Sequence, residues 1–413
     1  MFKCRSHRCR VEIKVGSAMK ITAVTQRLAG LGGTKWEIHL KAKELISQGR
    51  DIVSLTIGEP DVPTPNALME IAMQSMLTGR TGYSDGRGEK GLRLALAERA
   101  SKRTGQSISA DQVMCFPGTQ TALYAVLMCV AETGDEVLVG DPMYATYEGI
   151  VRASGANMVS VPLHAGNGFR MTASDVAEAI TPHTTALLLT TPHNPTGAIL
   201  SEPDIREIGQ LALQHDLWVI SDEVYEDFVF SDNTFTSALA IPEIADRVVV
   251  VSSISKSHAA PGFRSGWCIG PEEFTSRLLP LSETMLFGNQ PFIADMTEVA
   301  VRDGSPVAAE MRRRFAARAE LLEGRLSTDP KLNVYRPEAG MFALINVTGT
   351  GMNGDQYAAH LLEFGGVAVM PGSSFGLTMN DWVRVALTVD DTSFNIACDR
   401  ILAHAKALRL EIV

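Results

Sequence analysis

Between residues 136 and 270 the chain repeats one pattern: a short run of aliphatic and β-branched residues, then a longer polar or helical stretch. The runs are EVLVG (136–140), NMVSVPL (157–163), ALLLTT (186–191), LWVIS (217–221), RVVVVS (247–252) and WCIG (267–270). Helical spacing marks 119–131, 144–154 and 203–215. Strands that are apolar at nearly every position are covered on both faces, and intervening helices supply the cover. The pattern therefore predicts an α/β fold built on a largely parallel sheet. In such sheets ligands sit beyond the carboxyl ends of the strands, so the residues directly after each run are the first candidates for chemistry.

A chain of 413 residues exceeds one small core. After residue 295 the pattern turns helical (MRRRFAARAELLEGRL) and then gives shorter strands at MFALINV, VAVM and WVRVAL, which predicts a second, α+β domain joined by part of the N-terminal segment. A net charge of −10 argues against nucleic acid or an anionic membrane as the main partner. No apolar run approaches the roughly 20 residues that span a bilayer. The six cysteines are scattered without CxxC spacing, which suits free thiols in a reducing compartment and makes the cytoplasm the expected location. Residues 1–18 are basic and lack an apolar h-region; they are expected to be a disordered extension ahead of a domain that opens near Met19.

Four polar clusters stand where chemistry is expected. ALLLTT is followed by PHNPTG with Asn194, and LWVIS by DEVY with Asp222 and Tyr225. RVVVVS is followed by Ser253, Ser255, Lys256 and, eight residues on, Arg264. FPGTQ, with Gly118, opens a helix whose free N–H groups suit a phosphate. Singly, an Asn-Pro pair makes a turn, an acid after a strand caps a helix, and Gly-Thr starts one. Together and in this order they supply what a pyridoxal phosphate ring needs: a lysine for an imine, an acid for the ring nitrogen, donors for the phenolate oxygen, and cations with hydroxyls for the phosphate.

Three other motifs lack their context. GRGEKG at 86–91 follows a turn, not a strand, so it is no dinucleotide fingerprint. Ser253–Lys256 spells S-x-x-K, but the companion S-D-N and K-T-G motifs are missing. The nine histidines show no HExxH spacing; His193 and His258 are read as pocket or loop residues, and no metal is expected.

HNPTG, SDEVY and SISKSHAAPGFRSGW resemble, in order, the signature blocks of the fold-type I, class I/II aminotransferases, and the likeness runs from about residue 20 to the C-terminus. The overall pattern resembles the prokaryotic aspartate aminotransferase-like subgroup; W-E-I-H, MYATYE and SKSHA also resemble arginine–pyruvate aminotransferase. The resemblance implies a cofactor domain over 56–295 with a mostly parallel seven-stranded sheet between helices. A smaller α+β domain would cover 296–413, with 19–55 as an N-terminal arm. Lys256 would form the imine with pyridoxal 5'-phosphate, Asp222 would pair with the pyridine nitrogen, and Asn194 and Tyr225 would bond the phenolate oxygen. Arg264, Ser253, Ser255 and the Gly118–Thr119–Gln120 helix start would hold the phosphate. Tyr144 stands where a Trp commonly stacks on the ring. Tyr83 would reach the phosphate of a neighbouring subunit, which implies a homodimer.

On the substrate side, the resemblance assigns Gly58 and Asn194, with Arg384 as a bidentate grip on an α-carboxylate. Lys35, Trp36 and Glu37 in GGTKWEIHLKA (32–42) would lie near the pocket mouth, Lys35 favouring an acidic donor and Glu37 a cationic one. The family usually has Met-Thr where this chain has Ala260-Pro261, so a local packing change is expected there. The implied reaction is ping-pong transfer of an α-amino group from an amino acid to a 2-oxo acid. Aspartate with 2-oxoglutarate, or arginine with pyruvate, would be the leading pairs. A C–S β-lyase or decarboxylase on the same fold is the alternative.

Overall fold

The computed structural model describes residues 21–31, 34–230 and 233–408; the expected extension over 1–18 lies outside them. Seven strands form the main sheet in the spatial order Val113–Phe116, Gly266–Ile269, Val248–Ser253, Trp218–Asp222, Thr184–Thr190, Glu136–Asp141 and Asn157–Pro162. Gly266–Ile269 runs antiparallel to both neighbours and every other pairing is parallel. Val113–Phe116 has no counterpart among the runs read from the sequence. VMCF is four residues long, too short for its apolar pattern to stand out.

Alternation explains why the inner strands are apolar at nearly every position, unlike the edge strand Asn157–Pro162. Leu187, Leu189, Val219, Val248 and Val250 fall in one buried cluster, while Ala186, Leu188, Ile220, Val249 and Val251 fall in another. Successive side chains leave a strand on opposite faces, so a sheet covered on both sides needs an apolar residue at each position. Helices Thr119–Val130 and Tyr147–Ser154 contribute to the second cluster, and Glu202–Gln214 and Pro291–Asp303 to the first. The helix expected over 144–154 begins at Tyr147, which leaves Tyr144 in the preceding turn.

A second sheet joins Met370–Pro371, Trp382–Ala386, Phe342–Asn346 and Asn333–Tyr335, all antiparallel. Helix Ala308–Leu326 buries Met311, Phe315, Ala319, Leu322 and Leu326 against it, one stripe at helical spacing. The N-terminal segment enters here: Val53–Ser54 pairs in parallel with Val367–Ala368, and the Leu55 carbonyl accepts the Ala386 N–H at 2.9 Å. Residues 56–58 are thereby led to the carboxyl edge of the main sheet. No helix among the described residues is long and apolar enough to cross a membrane.

Candidate active site

Thr190 and Asp222 are register partners on adjacent strands, and Asp222 also pairs with Val251, two residues before Ser253. Three neighbouring strand ends therefore deliver Thr190, Asp222 and Ser253 to one edge of the sheet. The chain just beyond them adds Asn194, Tyr225 and Lys256. These residues surround a cavity of about 240 Å³. Of the site residues expected from the sequence, Trp36, Gly58, Thr119, Gln120, Tyr144, Asn194, Asp222, Tyr225, Ser253, Ser255, Lys256, Arg264 and Arg384 line it. Gly118, Lys35 and Tyr83 do not.

The Lys256 amine donates to the Gly58 carbonyl at 2.8 Å. Gly58 itself packs against the Phe342 ring, with which a Cβ would collide. Burial lowers the amine to about pH 8, helped by the nearby Arg384 and Arg264 charges and opposed by Glu59. An amine so placed has a substantial neutral fraction near neutral pH, as a nucleophile or proton carrier requires.

Asp222 caps no α-helix. One carboxylate oxygen accepts the Val224 N–H at 3.2 Å in a turn, and the other accepts the Tyr147 hydroxyl at 2.8 Å. Tyr147 lies 2.9 Å from Thr190 Oγ1; with its own proton committed to Asp222, it accepts from Thr190. Burial raises the Asp222 carboxyl to about 6 despite these two bonds, so it is ionised at neutral pH. Neither Tyr147 nor Thr190 was among the expected site residues. The only sequence signal was a second tyrosine three residues after Tyr144, placed at a helix start.

Arg384 is buried. It donates to Asn194 Oδ1 at 3.1 Å and to the Thr56 carbonyl at 2.7 Å, and its Cζ lies 3.9 Å from the Phe342 ring centroid and 4.3 Å from that of Phe375. Its Nε is buried without a partner. Burial lowers the guanidinium to about 10, opposed by Tyr225 and Tyr144. Asn194 passes the network on, donating to the Tyr225 hydroxyl at 3.3 Å. A buried donor left unmatched costs free energy unless a ligand completes it, and a carboxylate has the matching geometry.

At the opposite end, Gly118 takes φ +87° at the start of helix Thr119–Val130. A Cβ there would collide with the Arg264 guanidinium, and a Cβ on Gly266 would lie 2.7 Å from the Thr119 nitrogen. The helix start, the arginine and the strand are thus packed around positions that tolerate no side chain. Thr119 Oγ1 is buried with no partner. Arg264 takes the left-handed conformation at φ +51°, uncommon for a non-glycine residue. Free helix N–H groups, an arginine, an unmatched hydroxyl and Ser253 with Ser255 make a donor set suited to a phosphate. In the departing Ala260-Pro261 pair, Pro261 opens a short turn, lines the cavity and accepts Arg264 Nη1 at 2.9 Å.

Lys35 pairs with Glu148 at 3.1 Å and donates to the Ala145 carbonyl, behind the wall formed by Trp36 and Ala145. Tyr83 is 93% exposed and rests near Phe287, itself exposed. His193 Nδ1 lies 2.8 Å from the Thr196 hydroxyl, and burial lowers the ring to about 4. His258 lies between the Ser257 hydroxyl and the Ala300 carbonyl. Among the described residues no group of three His, Cys, Asp or Glu side chains could hold a metal ion. A larger cavity, about 590 Å³, opens beside Glu223, where Arg99 and Arg103 pair with Glu226 and Asp227.

The family described as aminotransferase class I and II matches residues 50–401. The chain belongs to that family. Arginine–pyruvate transaminase of Pseudomonas aeruginosa is 40% identical over 390 residues, covering 94% of this chain and 99% of the relative. Aspartate aminotransferase of Musicola paradisiaca is 30% identical, covering 89% and 92%. A double mutant of Thermus thermophilus aspartate aminotransferase superposes with a TM-score of 0.88 at 28% identity, covering 93% of this chain and 99% of that one. This aminotransferase thus has the aspartate aminotransferase fold and is a pyridoxal phosphate-dependent enzyme acting on amino acids and 2-oxo acids.

Proposed function

We propose that Lys256 holds the cofactor and carries the proton in transamination, while Arg384 grips the substrate α-carboxylate. The observation that carries this reading is one cavity that contains both a buried amine held near pH 8 and a guanidinium with an unmatched Nε. Bound pyridoxal phosphate supplies an electrophilic carbon and an electron sink for the substrate α-carbon. Lys256 Nζ, once free, would take the proton from the substrate α-carbon and return it two atoms along, at the cofactor carbon that it had held. Asp222, fixed by Tyr147, holds positive charge at the pyridine nitrogen. Asn194 Nδ2 and the Tyr225 hydroxyl donate to the phenolate oxygen. Thr119, Arg264, Ser253, Ser255 and the N–H groups of the Gly118–Gln120 helix start take the phosphate, and Tyr144 flanks the ring. One site then serves donor and acceptor in turn, giving ping-pong kinetics.

For the pair of substrates we favour arginine and pyruvate over aspartate and 2-oxoglutarate. The 40% identical relative is named for that reaction. Lys35, the mouth cation that would suit a second carboxylate, does not line the cavity and is bonded to Glu148 and the Ala145 carbonyl, and Glu59 adds negative potential beside Lys256. A donor panel with both acceptors tests this. Arginine–pyruvate should exceed aspartate–2-oxoglutarate in kcat/KM by about tenfold or more, equivalent to roughly 1.4 kcal/mol. A preference for aspartate would reverse the assignment.

The working unit in this reading is a homodimer in the cytoplasm. Exposed Tyr83 and Phe287 form an apolar patch, as expected where a second chain covers the surface. Cys115, Cys129, Cys268 and Cys398 are free thiols, which suits a reducing compartment. Size-exclusion chromatography should give twice the chain mass; a fully active monomer would contradict the dimer.

A further inference from the structure

Asp141 ends the strand Glu136–Asp141, outside the wall of the catalytic cavity, yet it is only 4% exposed. Its carboxylate is turned to a strap of chain over 372–379 that follows the short strand Met370–Pro371 of the second sheet. Asp141 Oδ2 accepts the Leu377 N–H at 3.1 Å, and Oδ1 accepts the Thr378 hydroxyl at 2.9 Å and the Thr378 N–H at 3.4 Å. The same hydroxyl lies 3.1 Å from the Asp141 carbonyl. Gly376 permits the approach, because a Cβ there would collide with the Asp141 carboxylate.

Two more bonds hold the strap. The Met143 N–H donates to the Phe375 carbonyl at 2.7 Å, and the Ser374 hydroxyl to the Lys35 carbonyl at 3.1 Å. Between these anchors Phe375 is buried with Trp36, Ala145 and Met370, and its ring stands 4.3 Å from the Arg384 guanidinium carbon. Leu377 and Thr378, which the carboxylate grips, are exposed. Their N–H groups could bond water instead. Burying a carboxylate to hold them is costly, so the bonds have a job other than satisfying the strap.

We infer that Asp141 is a positioning residue: it latches the 372–379 strap to the main sheet and so keeps Phe375 against Arg384. Asp141 itself touches no substrate. With Phe375 held, the guanidinium is shielded from water and its pull on a carboxylate is less screened. With the strap released, Arg384 hydrates and the carboxylate is held less tightly, while Lys256 and Asp222 are undisturbed. The inference rests on Arg384 being the carboxylate grip.

The test compares Asp141→Ala, Thr378→Val, Phe375→Leu, the double variant of Asp141→Ala with Phe375→Leu, and Arg384→Ala. Each is assayed for kcat and for KM of the amino donor, and each apo-chain for its Kd for pyridoxal phosphate by absorbance titration. Asp141→Ala should raise KM about tenfold, as expected for loss of hydrogen bonds to a charged group, with kcat within about threefold and the cofactor Kd unchanged. Thr378→Val, an exposed change that removes one hydroxyl, should raise KM about threefold and carries the test if Asp141→Ala does not fold. In the Phe375→Leu background Asp141→Ala should add less than about twofold, because both act through one contact.

Unchanged KM in Asp141→Ala and Thr378→Val, beside a raised KM in Arg384→Ala, overturns the latch alone. Additive effects with Phe375→Leu, or a cofactor Kd that weakens in step with KM, overturn it as well. An Arg384→Ala enzyme with unchanged KM overturns the carboxylate grip on which the latch depends.

Discussion

Lys256→Ala should lose at least about 10⁴-fold in turnover, because one substitution removes both the nucleophile that holds the cofactor and the base that moves the proton, and base catalysis alone is worth about 10²–10⁴. The effect should not arise from misfolding. The Lys256 side chain makes one hydrogen bond, to Gly58, and the sheet, the Asp222–Tyr147–Thr190 chain and the Arg384–Asn194–Tyr225 chain do not run through it. Pyridoxal phosphate should therefore still bind, more weakly, through the phosphate donors and Asp222. In the unaltered chain the amine sits near pH 8, and only its neutral form attacks a carbonyl. The rate of cofactor capture by the apo-chain should rise about tenfold per pH unit below that value and level off above it. Steady-state assay with the preferred donor and stopped-flow capture across pH 6–10 measure both. Wild-type turnover in Lys256→Ala would refute the assignment.

Asp222→Asn should cost about 3–5 kcal/mol of transition-state stabilisation, the usual loss when one partner of a buried ion pair is removed, or roughly 10²- to 10⁴-fold in kcat. The amide keeps the size of the carboxylate: its oxygen can keep the Val224 N–H, and Tyr147 can accept from its NH2 group while donating to Thr190 instead. Only the charge opposite the cofactor nitrogen is lost. The site is arranged to keep that charge. Burial pushes the carboxyl up to about 6, and the bonds from Tyr147 and Val224 oppose the rise, leaving it ionised at neutral pH. The pH profile of kcat should accordingly lose activity as pH falls through the acid range in the parent, and show no such limb in Asp222→Asn. A variant within threefold of the parent would remove Asp222 from the catalytic reading.

What the sequence disclosed and what it withheld follow from the range of the interactions. Asn194, Asp222, Tyr225, Lys256 and Arg264 each sit within a few residues of a long apolar run, so local order alone pointed to them. Tyr147 was not legible in the same way, because its bond to Asp222 spans 75 positions. Lys35 looked like a free cation at the pocket mouth; its partner Glu148, which it shares with Arg152, lies 113 positions away and holds the amine outside the cavity wall. Phe342 stands inside the MFALINV run and Phe375 in no motif, and only the folding of two segments onto Arg384 gives them a place in the site. Tyr83 follows the same logic in reverse, a residue whose suggested partner would belong to another chain.

The central claim is that one buried amine, at position 256, carries the cofactor. Reducing the loaded enzyme with borohydride, digesting it and mapping peptides by mass tests that claim most directly. The account predicts a single pyridoxyl phosphate addition, located on Lys256. An addition on any other lysine, or none in an active preparation, would contradict it.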